Sequence, residues 1–261
     1  MGNHQDDLHG RHENHERTPA PANDGPAALA ILDREAARLL DEAAITEYGI
    51  PGIVLMENAA RALLHAVHEM LRGDLADGHV VVCCGSGNNG GDGYALARHL
   101  ANAGTRCSII SIGRPRESSD AATNRLTCER MDMTIITPTD RERLENIDLV
   151  VDAMYGTGLD RPLDGISLEM VQWINDLEVP VLCVDIPSGM DADSGELLPV
   201  AVRGDCTVTF VAMKPSMLTL TGQRHTGDVI VGQIGSPPCL LDRLARSVPL
   251  GRIPHDDQAG P

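Results

Sequence analysis

The stretch that decides the fold is HVVVCCGSGNNGGDG, which occupies residues 79–93. Its first six residues form a short, largely apolar and β-branched run, which is typical of a strand buried on both faces of a parallel sheet. Five glycines fall among the next nine residues, and a helix is predicted to begin near Tyr94. Glycines at a strand-to-helix turn let the backbone approach a ligand and leave N–H groups free at the helix N-terminus. The stretch therefore predicts a strand, a ligand-binding turn and a helix.

Strand and helix patterns alternate along the rest of the chain. Two apolar stripes precede the first strand, at 32–43 and 56–70, and Asp33 is a suitable N-cap for the first of them. Further strands are predicted at 105–112, 133–137, 147–152, 179–185, 205–211 and 228–234. Helices are predicted around 92–103, 118–131 and 166–177. This alternation predicts an α/β fold, a Rossmann-like three-layer αβα sandwich with a mostly parallel central sheet that binds ligands at the carboxyl ends of its strands.

The two ends of the chain differ in composition from the part between them. Residues 1–28 are rich in His, Asp, Asn, Pro and Gly and have almost no large apolar side chains, which predicts a disordered tail. Residues 241–261 are predicted to form a loose C-terminal tail. The ordered part is therefore predicted to be one domain at 29–240.

Composition limits the partners and the compartment. A formal net charge of -17 disfavours binding to nucleic acid. No apolar run reaches the length of about 18–20 residues that a membrane helix needs, and no signal peptide opens the chain, so no membrane partner is expected. Seven cysteines, an odd number with no Cys-x-x-Cys pair, indicate a reducing, cytoplasmic location without a disulfide framework or a zinc site.

The glycine-rich loop carries more polar side chains than phosphate binding requires. Residues 85–90 match G-x-G-x-x-G, but the acidic residue that usually follows the next strand of a dinucleotide-binding fold is missing. Arg114 or Arg116 could instead take a 2′-phosphate. The loop side chains Asn88, Asn89 and Asp92 can hydrogen-bond an amide or hydroxyl, or coordinate a cation through oxygen. The alternative interpretation is a polar turn whose Asn and Asp side chains only cap the helix.

Two later strands also end in polar residues. Asp152 ends one predicted strand, and Asp185 and Ser188 follow another. Such an Asp often only caps a turn, but polar strand ends of a parallel sheet converge on one crevice, where a partly desolvated carboxylate can do acid–base work. Lys214, the single lysine, follows a further strand and either lies in solvent or supplies positive charge to a phosphate or carboxylate. The G-x-S-x-G, P-loop and H-E-x-x-H patterns are missing.

Five blocks of sequence occur in the order found in one enzyme family. They are residues 55–59 (LMENA), 85–93 (GSGNNGGDG), 152–158 (DAMYGTG), 185–189 (DIPSG) and 207–214 (TVTFVAMK). In these blocks the chain resembles the NAD(P)H-hydrate epimerases, the YjeF N-terminal domain family. Departures are small, with Ser86 where the family often has proline and Ala60 where it often has glycine. The larger dehydratase domain that often accompanies this one is not among the 261 residues, so the resemblance implies the epimerase activity alone.

The resemblance implies a role for each matching position. The implied reaction interconverts the R and S forms of hydrated NADH or NADPH (NADHX or NADPHX), and the sequence leaves open which nucleotide is preferred. The implied substrate-binding residues are Asn88, Asn89, Gly90, Gly91, Asp92, Gly156, Thr157, Gly158, Leu159, Asp160, Arg161, Pro162 and Asp185. The implied ligands of a potassium ion (K⁺) are Asn89, Asp152 and Ser188. Our hypothesis assigns Asp185 as the catalytic acid–base residue and Lys214 as a residue that tunes it.

The same resemblance implies the partners. We expect a homodimer, and a separate dehydratase that acts in the same repair pathway. Two alternative functions are a non-catalytic nucleotide-binding or scaffold module on the same fold, and an NADP-dependent oxidoreductase suggested by residues 85–90 and the arginines near 114. A scaffold module is expected to lack the Asn/Asp loop or Asp185, and this chain has both.

Overall fold

Seven parallel strands form the central sheet of the computed structural model, which describes residues 28–73, 76 and 78–249. These seven are β2 to β8, and two further strands, β1 and β9, lie outside this sheet. In chain order the strands are β1 (Ala28–Ile31), β2 (His79–Cys84), β3 (Arg106–Ser111), β4 (Thr134–Ile136), β5 (Leu149–Ala153), β6 (Val181–Val184), β7 (Cys206–Phe210), β8 (Asp228–Gly232) and β9 (Arg246–Pro249). The helices are α1 (Arg34–Thr46), α2 (Gly52–Met70), α3 (Asn88–Asn102), α4 (Asp120–Arg130), α5 (Gly165–Asp176), α6 (Leu220–Thr226) and α7 (Pro238–Leu244). Every strand predicted from the sequence is present, with slightly different ends.

The direction in which strands are added to the central sheet reverses at β2. The order is β4-β3-β2-β5-β6-β7-β8, and every neighbouring pair is parallel. The chain moves outward from β2 through β3 to β4, then returns to the other side of β2 with β5. In such sheets ligands bind in the crevice outside the carboxyl ends of the strands where the order reverses, which here lies between β2 and β5.

Helices cover both faces of the sheet. One face packs against α2, α3 and α4 through side chains that include Leu63, Leu96 and Cys128. The opposite face packs against α5 through Met170 and its neighbours. None of the helices in the described part of the chain combines the length and the apolar character needed to cross a bilayer. The strands are buried on both sides, which explains the continuous apolar run at 80–84 and confirms the predicted three-layer αβα sandwich.

Helix α3 begins at Asn88, earlier than the start at residues 92–94 that the sequence predicts. Glycine is less favourable than alanine in a helix by about 1 kcal/mol, which is why local propensity predicts a later start. Close packing explains why glycines are nevertheless used in this first turn. A Cβ on Gly90 would overlap the backbone of Gly85, and a Cβ on Gly91 would lie 2.6 Å from Cε of Met56.

The two ends of the described chain pair with each other. Strands β1 and β9 form a small antiparallel sheet in which Ala28 is the partner of Pro249. The sequence predicts a loose tail from residue 241, whereas the structure has the end of α7 and the whole of β9 in that segment. The reason is apolar packing, because Leu241 and Leu244 pack against a buried cluster that includes residues of α1 and α2. The remainder of the predicted tails, 1–27 and 250–261, lies outside the described residues.

Candidate active site

A cavity of about 660 Å³ opens outside the carboxyl ends of β2, β5 and β6. Its outer wall consists of α1 and the start of α2, and its inner wall consists of the turns that follow the strands. The predicted substrate-binding residues in this wall are Asn88, Asn89, Asp92, Gly156, Thr157, Gly158, Leu159, Asp160, Arg161 and Asp185. Three other predicted substrate-binding residues do not line the cavity, namely Gly90, Gly91 and Pro162. The two glycines serve the packing of α3 instead.

Asp185 and Lys214 meet in this cavity. Lys214 Nζ lies 3.0 Å from Asp185 Oδ1, and the two side chains are only 3% and 13% exposed. The ammonium also donates hydrogen bonds to Thr209 Oγ1 (2.8 Å) and to the carbonyl oxygens of Phe210 and Ala212 (both 3.1 Å). The structure therefore places Lys214 beside a carboxylate, not in solvent.

Unusual backbone turns hold both partners of this pair. Asp185 and Val211 each have a φ of 67°, and in each turn the N–H of the following residue donates to the carbonyl oxygen of the preceding one. Such γ-turns with positive φ are rare, and strained backbone of this kind costs about 1–3 kcal/mol. Val211 is β-branched, so a positive φ is especially unfavourable there. The turn after β6 brings the Asp185 carboxylate to Lys214, and the turn after β7 brings the Phe210 carbonyl oxygen to the same ammonium.

Two of the predicted potassium ligands are joined by hydrogen bonds behind the cavity wall. Asp152 and Ser188 are fully buried. The Asp152 carboxylate accepts hydrogen bonds from Ser188 Oγ (2.6 Å) and Ser188 N (2.7 Å). Burial raises the pKa of Asp152 to about 6, although the hydrogen bonds from Ser188 lower it. The third predicted ligand, Asn89, lines the cavity, and its buried Nδ2 has no hydrogen-bond partner among the described residues.

The donor set of these three residues fits a hard monovalent cation. Carboxylate, amide and hydroxyl oxygens are ligands that such cations prefer. The buried Asp152 carboxylate accepts hydrogen bonds from uncharged groups, the Ser188 hydroxyl and the N–H groups of Ser188 and Met154, so a cation there would supply positive charge to it. No group of three His, Cys, Asp or Glu side chains among the described residues is arranged to hold a metal. A cation would therefore depend on the neutral oxygens of Asn89 and Ser188.

Gly156 allows two parts of the site to approach each other. A Cβ at this position would lie 3.0 Å from Asn89 Oδ1 and 3.0 Å from Asp185 Oδ2, which is closer than side-chain carbons normally come. The next residue, Thr157, donates its backbone N–H to Asp185 Oδ2 at 3.2 Å. The loop after β5 thus connects the first turn of α3 with the turn after β6.

Six acidic residues line the cavity (Glu35, Asp41, Asp92, Asp120, Asp160 and Asp185), and Asp41 on α1 is one that the sequence did not predict. Burial raises the pKa of Asp92 well above its ordinary value, and the like charges of Asp185 and Asp41 raise it further. Burial also raises the pKa of Asp41 to about 6, with a further increase from Asp185 and a decrease from Lys214. Asp41 keeps solvent-exposed surface because it lines an open cavity and not the core. In sequence it resembles an ordinary polar residue of an amphipathic helix.

The arginines considered for a 2′-phosphate, Arg114 and Arg116, are not among the residues that line the cavity. The end of β3, where a dinucleotide-binding fold usually has its acidic residue, carries Ser111 instead. Its hydroxyl is hydrogen-bonded to Tyr94 Oη (2.8 Å) and accepts a hydrogen bond from Arg125. The geometry therefore gives no support to the oxidoreductase alternative.

Residues 52–216 match the family model described as YjeF-related protein N-terminus. The matched segment contains the glycine-rich loop, Asp152 in β5, Asp185 after β6, and Lys214. The chain belongs to this family. Within the YjeF-related family, an NAD(P)H-hydrate epimerase of Limosilactobacillus fermentum is 39% identical over 195 residues, a match that covers 74% of this chain and 91% of that protein.

Longer proteins and a solved structure are also similar to this member of the YjeF-related family. A bifunctional NAD(P)H-hydrate repair enzyme Nnr of Salinibacter ruber is 36% identical over 230 residues, and the match covers 82% of this chain and 42% of that protein. The crystal structure of yeast ynu0 has a TM-score of 0.63 and 26% sequence identity, and the match covers 71% of this chain and 82% of the yeast chain. The fold is thus shared with a solved structure over most of both chains.

Proposed function

We propose that this protein is an NAD(P)H-hydrate epimerase, an isomerase that interconverts the R and S forms of NADHX and NADPHX in the repair of nicotinamide nucleotides. The observation that carries the proposal is the buried pair of Asp185 and Lys214, which faces the cavity in a chain 39% identical to a protein named as such an epimerase. A volume of about 660 Å³ lies within the range of about 300–1,000 Å³ typical of small-molecule sites.

The two ends of the substrate require different surroundings, and the cavity offers both. Backbone N–H groups at the N-terminus of α3 can hold the anionic pyrophosphate, and Arg161 adds positive charge to the wall. The hydrated ring would then lie toward Asp185, and the amide of Asn89 could bind its carboxamide. This orientation places the carbon that changes configuration, C6 of the ring, next to the buried ion pair.

Epimerisation at C6 requires the removal and re-addition of water. A carboxyl group donates its proton to the C6 hydroxyl, the C6–O bond breaks, and the ring nitrogen stabilises the resulting cation. Water then adds from the other face and gives up a proton. Asp185 can exchange one of these two protons with the substrate because its carboxylate faces the cavity and is held by Lys214 and the Thr157 N–H. No electrons are gained or lost overall, so intact NADPH should remain unoxidised.

The variant Asp185→Asn tests this assignment. It keeps the shape of the side chain and removes the group that transfers the proton, so conversion of resolved R-hydrate to the S form should slow by about 10²-fold or more. Asp140→Asn is a matched control, because Asp140 lies in the surface turn Pro138–Arg143 away from the cavity. A folded Asp185→Asn variant as fast as the parent would contradict the catalytic role. A parent no faster than buffer would contradict the epimerase function itself.

We also propose that K⁺ is a cofactor, held by Asn89, Asp152 and Ser188. When bound, it would supply positive charge that offsets the negative charge of the chain and favours an anionic substrate. The test compares the epimerisation rate in potassium chloride and in choline chloride at equal ionic strength. We expect a faster rate with K⁺ in the parent and no difference in Asp152→Asn. Equal parent rates in the two salts would contradict the proposal.

Three further expectations concern the setting of the reaction. We propose that a separate dehydratase acts on the same damaged nucleotides, which is supported by the bifunctional repair enzyme of Salinibacter ruber. We propose a cytoplasmic location, supported by seven free cysteines. A homodimer is proposed from the family resemblance, and light scattering of the purified chain tests it. A mass equal to the 27.9 kDa of one chain would contradict the dimer.

A further inference from the structure

The outer wall of the cavity carries a carboxylate to which the proposed mechanism gives no role. Asp41 lines this wall on α1, whereas the next residue, Glu42, is not part of the wall. Glu42 instead accepts a hydrogen bond from Arg38 Nη1 at 2.9 Å. Among the described residues, Asp41 has no ion-pair or hydrogen-bond partner. Helix α1 therefore presents one of two consecutive acids to the cavity and leaves it without a partner.

Two tethers hold α1 in place against the site. Leu32, just before the helix, donates its N–H to the carbonyl oxygen of Met213 at 2.9 Å, and Met213 directly precedes Lys214. Arg34, the first residue of the helix, forms an ion pair with Asp191 in the loop that follows the turn after β6. Direct contacts with the segment before Lys214 and with the segment after Asp185 therefore set the position of α1 relative to the buried ion pair.

The charged groups that face Asp41 come from three elements. Asp185 and Lys214 face it from the ends of β6 and β7, and Asp92 faces it from α3. These three carboxylates share the Lys214 ammonium group, and the same cavity is also lined by Arg34, Glu35, Arg38, Asp120, Asp160 and Arg161. Burial and the charge of Asp185 raise the pKa of Asp41 to about 6, so that both its protonated and its ionised form are available near neutral pH. A residue that donates and accepts protons must be able to adopt both forms.

A ring that enters between the α1 wall and the strand ends presents one face to each. Asp185 lies on the side of the strand ends, and Asp41 lies on the side of α1. We propose that Asp41 is a second catalytic acid–base residue, which acts on the face of the ring opposite to Asp185. This inference rests on the proposed epimerase function. It also concerns a residue outside the segment 52–216 that defines the family match.

The reaction requires only the substrate, water and the two carboxyl groups. One of the two carboxyl groups is protonated at the start and donates its proton to the C6 hydroxyl on its own face. The C6–O bond breaks, water leaves, and the lone pair of the ring nitrogen supplies the electrons. A second water forms a new C6–O bond from the opposite face, and its proton passes to the other carboxylate. Asp41 and Asp185 have then exchanged protonation states, which prepares them for the reverse reaction.

Asp41→Asn tests the proposal against the matched control Glu42→Gln on the same helix. Conversion of resolved R-hydrate to the S form should slow by about 10²-fold or more in Asp41→Asn, and it should stay at the parent rate in Glu42→Gln. Asp41→Ser, which also cannot transfer protons, should show the same loss and serves if the first variant does not fold. Parent-like rates in a folded Asp41 variant would overturn the proposal while leaving the epimerase function intact, because the parent is assayed alongside.

Exchange of the C6 oxygen with water labelled with oxygen-18 separates a chemical role from a structural one. In Asp41→Asn, the epimer whose hydroxyl faces Asp185 should still exchange its oxygen, because departure and return on that face need only Asp185. The other epimer should exchange no faster than in buffer. Asp185→Asn should show the opposite preference. Equal slowing of exchange in both epimers of the Asp41 variant would overturn the assignment of Asp41 to one face.

Discussion

Replacement of Lys214 by methionine tests how strongly the buried charge pair supports the fold. Methionine keeps an unbranched apolar stem and removes the ammonium group. In the parent, Nζ lies 3.0 Å from Asp185 Oδ1 and donates hydrogen bonds to Thr209 Oγ1 and to two carbonyl oxygens. All of these acceptors lose the ammonium group in the variant, and the Asp185 carboxylate remains near two other acids without a cation.

The expected cost follows from the burial of the pair. Loss of one partner of a buried ion pair destabilises a protein by about 3–5 kcal/mol, because the remaining charge is uncompensated. We therefore expect Lys214→Met to lower the free energy of unfolding by about 3–5 kcal/mol near neutral pH. Since domains are typically stable by about 5–15 kcal/mol, the variant should still fold.

Urea unfolding followed by circular dichroism measures this cost, with Arg243→Met as the matched control. Arg243 also lies 3.0 Å from a carboxylate, Glu47, but the two side chains are 48% and 50% exposed, so its loss should cost less than about 1 kcal/mol. The double variant Lys214→Met with Asp185→Asn should be more stable than Lys214→Met alone, because no charge is left unpaired. The reasoning is refuted if Lys214→Met costs no more than Arg243→Met.

Three further predictions concern the glycines and the cation. Gly85→Ala should prevent stable folding, because a Cβ there would overlap a backbone carbonyl oxygen, whereas Gly87→Ala has open space and should leave the midpoint of thermal unfolding unchanged. Gly156→Ala should fold but show a lower kcat in steady-state assays, because its Cβ would displace two side-chain oxygens of the site. In the folded state without a cation, the pKa of Asp152 is raised from 3.8 to about 6. Its contribution to stability is therefore complete at a pH below the unfolded-state pKa and is lost as the pH rises through about 6. K⁺ should therefore raise the midpoint of thermal unfolding more above about pH 6 than below it, and an equal or smaller rise above that pH would contradict the site.

Features that depend on local sequence were predictable. The apolar run at 80–84 indicates a doubly buried strand whatever surrounds it, and the alternation of such runs with helical patterns predicts the three layers. The crevice was predictable as well, because the carboxyl ends of parallel strands must face one edge of the sheet. This is why the sequence predicts that Asp185, Asn89 and Gly156 lie together.

Features that depend on contacts between distant segments were not predictable. Helix α3 starts at Asn88 because its glycines pack against α2 and the preceding loop, and that packing outweighs helix propensity. Asp41 reaches the cavity only because α1 is tethered to the segment before Lys214, a contact between residues far apart in sequence. The positive φ of Val211 also gave no signal, since nothing in the identity of a valine indicates strained backbone.

The pairing of β1 with β9 has a consequence for engineering. Because Ala28 and Pro249 are partners in an antiparallel ladder, their Cα atoms are separated by only about 5 Å. A short peptide could join these positions, and new termini could be opened in an exposed loop on the opposite side of the sheet. Such a circular permutant would keep the contacts of α1 with Met213 and Asp191. It would also turn β1 and β9 into a continuous hairpin beside the cavity.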